Sequence, residues 1–342
     1  MENRMLNGFF DIEFRLEELN KAGDPLTKLN EVVEWESFRE ELETMRDEER
    51  KSNAGRKPFD AVVMFKILVL QSLYNLGDDS IEYQIRDRIS FMRFLGLSLG
   101  DRVPDAKTIW LYRENLGKAG LVDKMFAKFD WQLRAKGYTA KRGQIIDASI
   151  ISAPRQRNTR EENSMIKDGE VPEDWNTAKL RQKDTDAKWV KKDGHNYFGY
   201  KNHICIDAKH KFIRKYAVTD AAAHDSNVFE ELLDKKNTSR DVYADSAYRS
   251  DEKLKMLDKK GYREHIQRKG CRNKPLTEWE KQGNHTRSKI RSRVEHIFGV
   301  QAQMAGDLII RCIGKVRAEI KIGLRNLAYN MFRLGTLEAM AR

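Results

Sequence analysis

Two short apolar runs in this chain are each interrupted by an aspartate, Gln144-Ile-Ile-Asp147-Ala-Ser-Ile-Ile151 and Val242-Tyr-Ala-Asp245-Ser-Ala-Tyr248. A carboxylate inside a buried strand is costly, because an ion stripped of water needs a compensating partner. A third carboxylate, Glu295, lies in the basic stretch Arg291-Ser-Arg-Val-Glu295-His-Ile-Phe298, which reads as helix. A fold that brought Asp147, Asp245 and Glu295 together would build an all-oxygen site suited to Mg²⁺ or Mn²⁺. The Lys and Arg around them point to a phosphate-bearing substrate. Metal-assisted chemistry on nucleic acid is the expectation.

Charge supports that direction. The chain carries 64 Lys+Arg against 53 Asp+Glu, a formal +11, which favours a polyanionic partner. The surplus is uneven. Lys281 to Arg325 holds ten bases against three acids, whereas Glu31 to Arg50 holds nine acids against three bases. The first block is a candidate DNA-facing surface, and the second is expected to face solvent or a partner protein. Cys205, Cys271 and Cys312 are odd in number and form no Cys-x-x-Cys pair, which speaks for a reducing compartment and against a zinc ribbon. The N-terminal residues lack a secretory layout, and the best apolar run, Ala61 to Leu70, is short for a bilayer and broken by Lys66. A soluble cytoplasmic protein without a membrane partner is expected.

The chain's 342 residues suggest two units. Residues 1–136 read as an all-helical domain for DNA-end binding, dimerisation or both, with Pro58 placed where a helix can start and Gly96 to Gly100 as a break. Residues 137–342 read as α/β: a strand over 144–151, a hairpin over 197–219, strands over 241–245 and 262–267, and helices at 226–236, 251–259, 277–301 and 316–331. Between them, residues 153–194 are polar and weakly patterned, and are expected to form a mobile insertion.

These segments resemble those of the DDE transposases of bacterial insertion sequences, the branch conventionally numbered five. The resemblance rests on Gly55-Arg-Lys-Pro58, Leu70-Gln-Ser-Leu-Tyr-Asn-Leu76, Pro104-Asp105 with Thr108-Ile109, and Ile146-Asp147-Ala-Ser-Ile-Ile151. It continues through Phe198-Gly-Tyr-Lys-Asn-His203, Thr219-Asp-Ala-Ala-Ala-His-Asp225, Ala244-Asp245-Ser-Ala-Tyr248 and the Glu295 segment, in that order. It implies a ribonuclease-H-like mixed sheet flanked by helices. It also implies catalytic and metal-ligating roles for Asp147, Asp245 and Glu295 around two divalent ions per active site. The implied partner is double-stranded DNA, both the terminal inverted repeats and the target, bound by a homodimer or higher oligomer in the bacterial nucleoid. A metal-dependent nuclease without strand transfer and a domesticated DNA-binding protein are the alternatives.

The chain departs from the wider pattern at two places. Ser288 stands where a tyrosine is often found seven residues before the glutamate, and Ala302 where a lysine is often found seven after it; Arg291 is retained. Expected DNA contacts are Arg291 and Arg293, then Lys201, Arg287 and Lys289, with Arg56 and Lys57 as candidates for reading the element ends. Basic side chains of this kind mainly position phosphate. Trp110, Trp175 and Trp189 read as stacking residues or, more conservatively, as anchors. His203 and His296 read as packing or surface residues as readily as ligands, Asp184 and Asp186 as a solvated loop, and Asp225 as a helix cap.

Overall fold

The computed structural model describes residues 10–46, 57–272, 274–306 and 308–341. Two compact units emerge, residues 1–132 with 327–342, and residues 133–326. This differs from the expected division at 136/137, because the C-terminal helix is shared. Its later residues Leu327, Met331 and Leu334 are buried, and Gly335 lies against Val32 of the first unit.

The first unit is helical: α1 (Asp11–Ala22), α2 (Pro25–Val32), α3 (Arg39–Glu43), α4 (Ala61–Tyr74), α5 (Asp78–Asp87), α6 (Ile89–Leu95), α7 (Ala106–Lys118) and α8 (Leu121–Ala135), the last running into the second unit. Asp60, two residues after Pro58, caps α4: its carboxylate accepts the Val62 and Val63 amides and pairs with Arg39 at 2.6 Å. α4 is apolar around most of its circumference and forms the centre of the unit, with Phe65, Ile67, Val69 and Leu70 fully buried. Arg113 on α7 grips Asp78 on α5 with both Nη atoms, at 2.6 and 2.8 Å. Part of the acidic block turns inward, Glu41 pairing with Lys128 at 2.7 Å. No single described helix is long and apolar enough to cross a membrane.

The second unit is built on a mixed sheet. β1 (Gln144–Ser152) is followed by α9 (Arg160–Lys167), α10 (Thr177–Gln182), β2 (Lys188–Lys192), β3 (His195–Asp207), β4 (Ile213–Asp220), α11 (Phe229–Leu232), β5 (Asp241–Ala244), α12 (Asp251–Lys259), β6 (Arg263–Ile266), α13 (Glu278–Ala305) and α14 (Lys315–Ala341). β1 lies between β3, antiparallel, and β5, parallel; β4 pairs with the far edge of β3 and β6 extends the other side in parallel. An antiparallel β4–β3–β1 meander continued by parallel β5 and β6, with helices on both faces, is the ribonuclease-H-like arrangement. A buried ion pair closes the β3–β4 turn, Asp207 to Arg214 at 2.8 Å, and Asp207 also accepts the His210 amide at 2.6 Å. At Gly199, φ is 153° and a Cβ would overlap the Ile151 carbonyl oxygen, so only glycine lets β3 pass the end of β1 there.

One face of the sheet, carrying Ile146, Cys205, Val242 and Ala244, packs with Phe229, Leu232, Leu257 and Ile266 into a core. The opposite face receives α13 and α14, with Ile151, Tyr200, Val218, Ala318 and Ile322 packed together. Polar groups fix their seating. Asn202 on β3 and Asn326 on α14 exchange amide hydrogen bonds of 2.9 and 3.0 Å, and Gln301 on α13 donates to Asn326 Oδ1 at 3.0 Å, all three buried.

The insertion over 153–194 is not a featureless excursion. A reciprocal cap between Thr159 and Glu162 starts α9, and Trp175 is buried with its Nε1 donating to Glu162 at 2.7 Å. Asp184 is buried rather than solvated, accepting the Tyr200 hydroxyl and the Asp186 and Ala187 amides. Asp186 accepts the Lys315 amide at 2.8 Å and so caps α14. Isolated anchors of this kind leave no periodicity for a sequence reading to detect.

Replacing Asn326 with Ala strands Asn202 and Gln301 in the interior and is expected to cost about 2–3 kcal/mol, read from urea unfolding. A loss below about 1 kcal/mol would show that the amide cluster does not seat these helices.

Candidate active site

The sheet register brings Asp147 and Asp245 together. Ile146 pairs with Ala244 across the parallel β1–β5 ladder, so the next residue on each strand is an aspartate. Asp245 lies one residue beyond β5, with backbone still extended (φ −68°, ψ 162°). Its carboxylate caps the short turn Ser246–Tyr248, accepting the Ala247 amide at 2.8 Å and the Ser246 hydroxyl at 3.0 Å. Asp147 sits in a recess, its Oδ1 accepting the Ala148 amide at 2.8 Å.

Glu295 reaches this pair from α13 through Arg291. The guanidinium donates from Nη1 to Asp147 Oδ2 at 2.7 Å and from Nη2 to Glu295 Oε1 at 2.7 Å. Helical i,i+4 spacing accounts for the second contact, while the first spans 144 residues. Glu295 is the most open of the three, its side chain 57% exposed against 17% for Asp147. Among the described residues no group of three or more acidic, His or Cys side chains is arranged as a ligand cage. Arg291 bridges Asp147 and Glu295, while Asp245 is held by the Ala247 amide and the Ser246 hydroxyl.

Burial pushes the Asp147 carboxyl up to about 6, and the like charge of Asp245 adds to the rise. The Ala148 amide, Arg291 and Lys192 pull in the opposite direction without overcoming burial. Carboxylate oxygens that already draw in a cation suit a hard divalent ion by donor chemistry.

The other sequence-derived candidates fall out differently. Arg293 donates to the Ala208 carbonyl at 2.6 Å and fastens α13 to the β3–β4 turn. Lys201 is held by Asp225 at 2.8 Å and by the Ala223 carbonyl at 2.7 Å. Arg287 contacts Asn284 at 3.5 Å, whereas Lys289 and Lys57 are exposed and Arg56 lies outside the described residues. Ser288 accepts a hydrogen bond from Gln267 at 2.6 Å. His203 is buried, with Nε2 on the Thr219 hydroxyl at 2.8 Å, and burial lowers its pKa to about 4. Asp225 is not the expected cap; the His224 side chain caps that turn. Trp189 is exposed beside Phe198 and Arg155, Trp110 is exposed, and no disulfide joins the cysteines among the described residues.

One residue of this neighbourhood was not singled out from sequence. Tyr248, three positions after Asp245, is buried with no partner for its hydroxyl among the described residues, and burial followed by the charges of Asp225, Asp147 and Asp245 drives its pKa upward. An aromatic hydroxyl close behind a strand-end carboxylate was the available signal.

Because the folded-state pKa of Asp147 lies above its ordinary 3.8, the unfolded chain ionises first as pH rises. Stability is therefore lost between about pH 4 and 6, by about 3 kcal/mol in all above that range. In chelator, Asp147→Asn should be more stable than the parent at pH 8 by up to about 3 kcal/mol, and by less than about 1 kcal/mol at pH 4. Urea midpoints at both pH values measure this, and an Asn variant that is weaker at pH 8 contradicts it.

Residues 14–115 match the family model described as Transposase domain (DUF772), and residues 138–331 match the one described as Transposase DDE domain. Among solved structures, a piggyBac transposase synaptic complex with hairpin DNA is similar at 13% identity and a TM-score of 0.49, covering 93% of this chain and 76% of that chain.

Proposed function

This chain belongs to the DDE transposases of insertion-sequence type, and from that premise we propose that it cuts DNA at the ends of its element and joins the freed 3′-hydroxyl to target DNA. The observation that carries the reading is the adjacent register of Asp147 and Asp245, with Glu295 tied to Asp147 through Arg291. In this reading Asp147, Asp245 and Glu295 are the catalytic carboxylates and hold two Mg²⁺ or Mn²⁺ ions. Bound there, such ions would offset charge on the phosphoryl oxygens and activate the attacking oxygen.

The chain's own groups do the rest. Asp147 is the most rigidly placed carboxylate, on a strand with neighbours on both edges, and suits a shared ligand. Glu295, the most open of the three to solvent, suits the ligand that meets the DNA phosphate side of the site. Lys289 on the same helix and Lys57 in the first unit are exposed and suited to phosphate, while Arg293 and Lys201 hold structure instead. Hydrolysis of an end phosphodiester leaves a 3′-hydroxyl on the element. That hydroxyl then attacks a target phosphodiester, forming one P–O bond and releasing a target 3′-hydroxyl. The protein acts on paired ends as a homodimer or larger assembly, on the bacterial nucleoid.

Incubation with the element's own flanking ends, with and without Mn²⁺, tests the reading. Defined nicks that require the metal, and joined products from pre-cut ends, are expected. Cleavage without joining indicates a nuclease, and metal-independent binding with neither product indicates a DNA-binding protein. Asp245→Asn and Glu295→Gln should each slow cleavage by about 10²-fold or more, with DNA affinity in a mobility-shift assay changed by less than about threefold. Cleavage persisting at the parent rate in either variant rejects the catalytic assignment.

A further inference from the structure

We propose that Arg291 is a place-holding cation: its guanidinium occupies the position between Asp147 and Glu295 and must withdraw before those carboxylates can ligate a divalent ion. This inference rests on the carboxylate site proposed above.

The geometry is specific. The two Nη atoms go to different carboxylates at equal 2.7 Å distances, so one side chain offsets both negative charges at once. An ordinary i,i+4 helix pair would engage Glu295 alone. Arg291 reaches across to β1, toward the acid whose burial makes its ionised form most costly. Arg291, 20% exposed, thus links Asp147, 17% exposed, to the open Glu295, 57% exposed.

The side chain is also poised to leave. Its Nε is buried with no hydrogen-bond partner among the described residues. An unmet guanidinium donor carries a desolvation cost that turning outward to water relieves. The arginine is thus strongly held through two contacts and poorly satisfied at a third. Such a group keeps like-charged carboxylates together in the absence of metal and yields to a stronger cation.

The test is Mn²⁺ affinity, followed by titration of free Mn²⁺ by electron paramagnetic resonance at pH 8, where competition from the Asp147 proton is weak. The parent chain, Arg291→Ala, Arg291→Lys and Asp147→Asn are compared, each checked for folding by circular dichroism. Arg291→Ala is expected to bind Mn²⁺ at least about tenfold more tightly than the parent, since no guanidinium bridge between the two carboxylates has to be broken. Arg291→Lys, with a compact charge that cannot fork between two acids, should fall between them. It also serves as the test should the alanine variant not fold. A merely structural arginine predicts unchanged or weaker binding in both folded variants, and that result overturns the inference while leaving the carboxylate site standing. Parent binding that Asp147→Asn does not reduce removes the carboxylate site itself, and this inference with it.

Discussion

Keeping an ionisable carboxylate on the middle strand of a sheet governs this site. β1 pairs with β3 through Asp147 itself and with β5 up to the preceding Ile146, so Asp147 cannot drift toward water as a loop residue would. Burial raises its pKa to about 6, and Asp245, one step along the neighbouring strand, adds a second negative charge. The arrangement therefore has to recruit positive charge. Arg291 supplies it in the chain as it stands, and a divalent ion would answer the same need. What makes the recess unfavourable to the folded chain is what would make it attractive to metal.

The second requirement is a helix seated well enough to deliver Glu295 and Arg291. α13 is 28 residues long and largely polar, with Val294 and Ile297 its fully buried apolar side chains near the site. So thin an apolar stripe defines its rotation only loosely. Polar contacts complete the definition on either side of the glutamate: Arg293 on the Ala208 carbonyl, and Gln301 on the Asn326–Asn202 pair. Buried amides are suited to this, since a shifted register would leave each of them unpaired. Ser288 joins the same scheme through Gln267 and tethers α13 to the segment after β6.

Much of the α/β unit was legible in the sequence. β1, the β3–β4 hairpin, α12 and α13 lie close to where apolar runs, turn residues and charge placed them. The short helices of the insertion did not show, because Trp175, Ile166 and Ala187 are single anchors whose burial depends on distant neighbours. Asp184 and Asp186 illustrate the same limit: an acidic pair in a polar stretch looks solvated until Tyr200 and the start of α14 are placed against it. The late part of α14 carries a continuous helical pattern that says nothing about which unit it completes.

Local pattern drew attention to Asp147, Asp245 and Glu295. Singly, though, each aspartate reads as a strand-end turn former and Glu295 as an ion-pair partner of Arg291 or Lys289; only their order and the family resemblance made them a set. Local pattern was sufficient for the basic surplus and the order of strands and helices. Packing alone settled how the positive charges are used. Arg291, Arg293 and Lys201 all looked like phosphate contacts, yet each is committed to an acceptor inside its own chain. Residue type and spacing report what a side chain is able to bind. Which acceptor it meets depends on through-space distances between segments as far as 144 residues apart, and those exist only once the sheet has assembled.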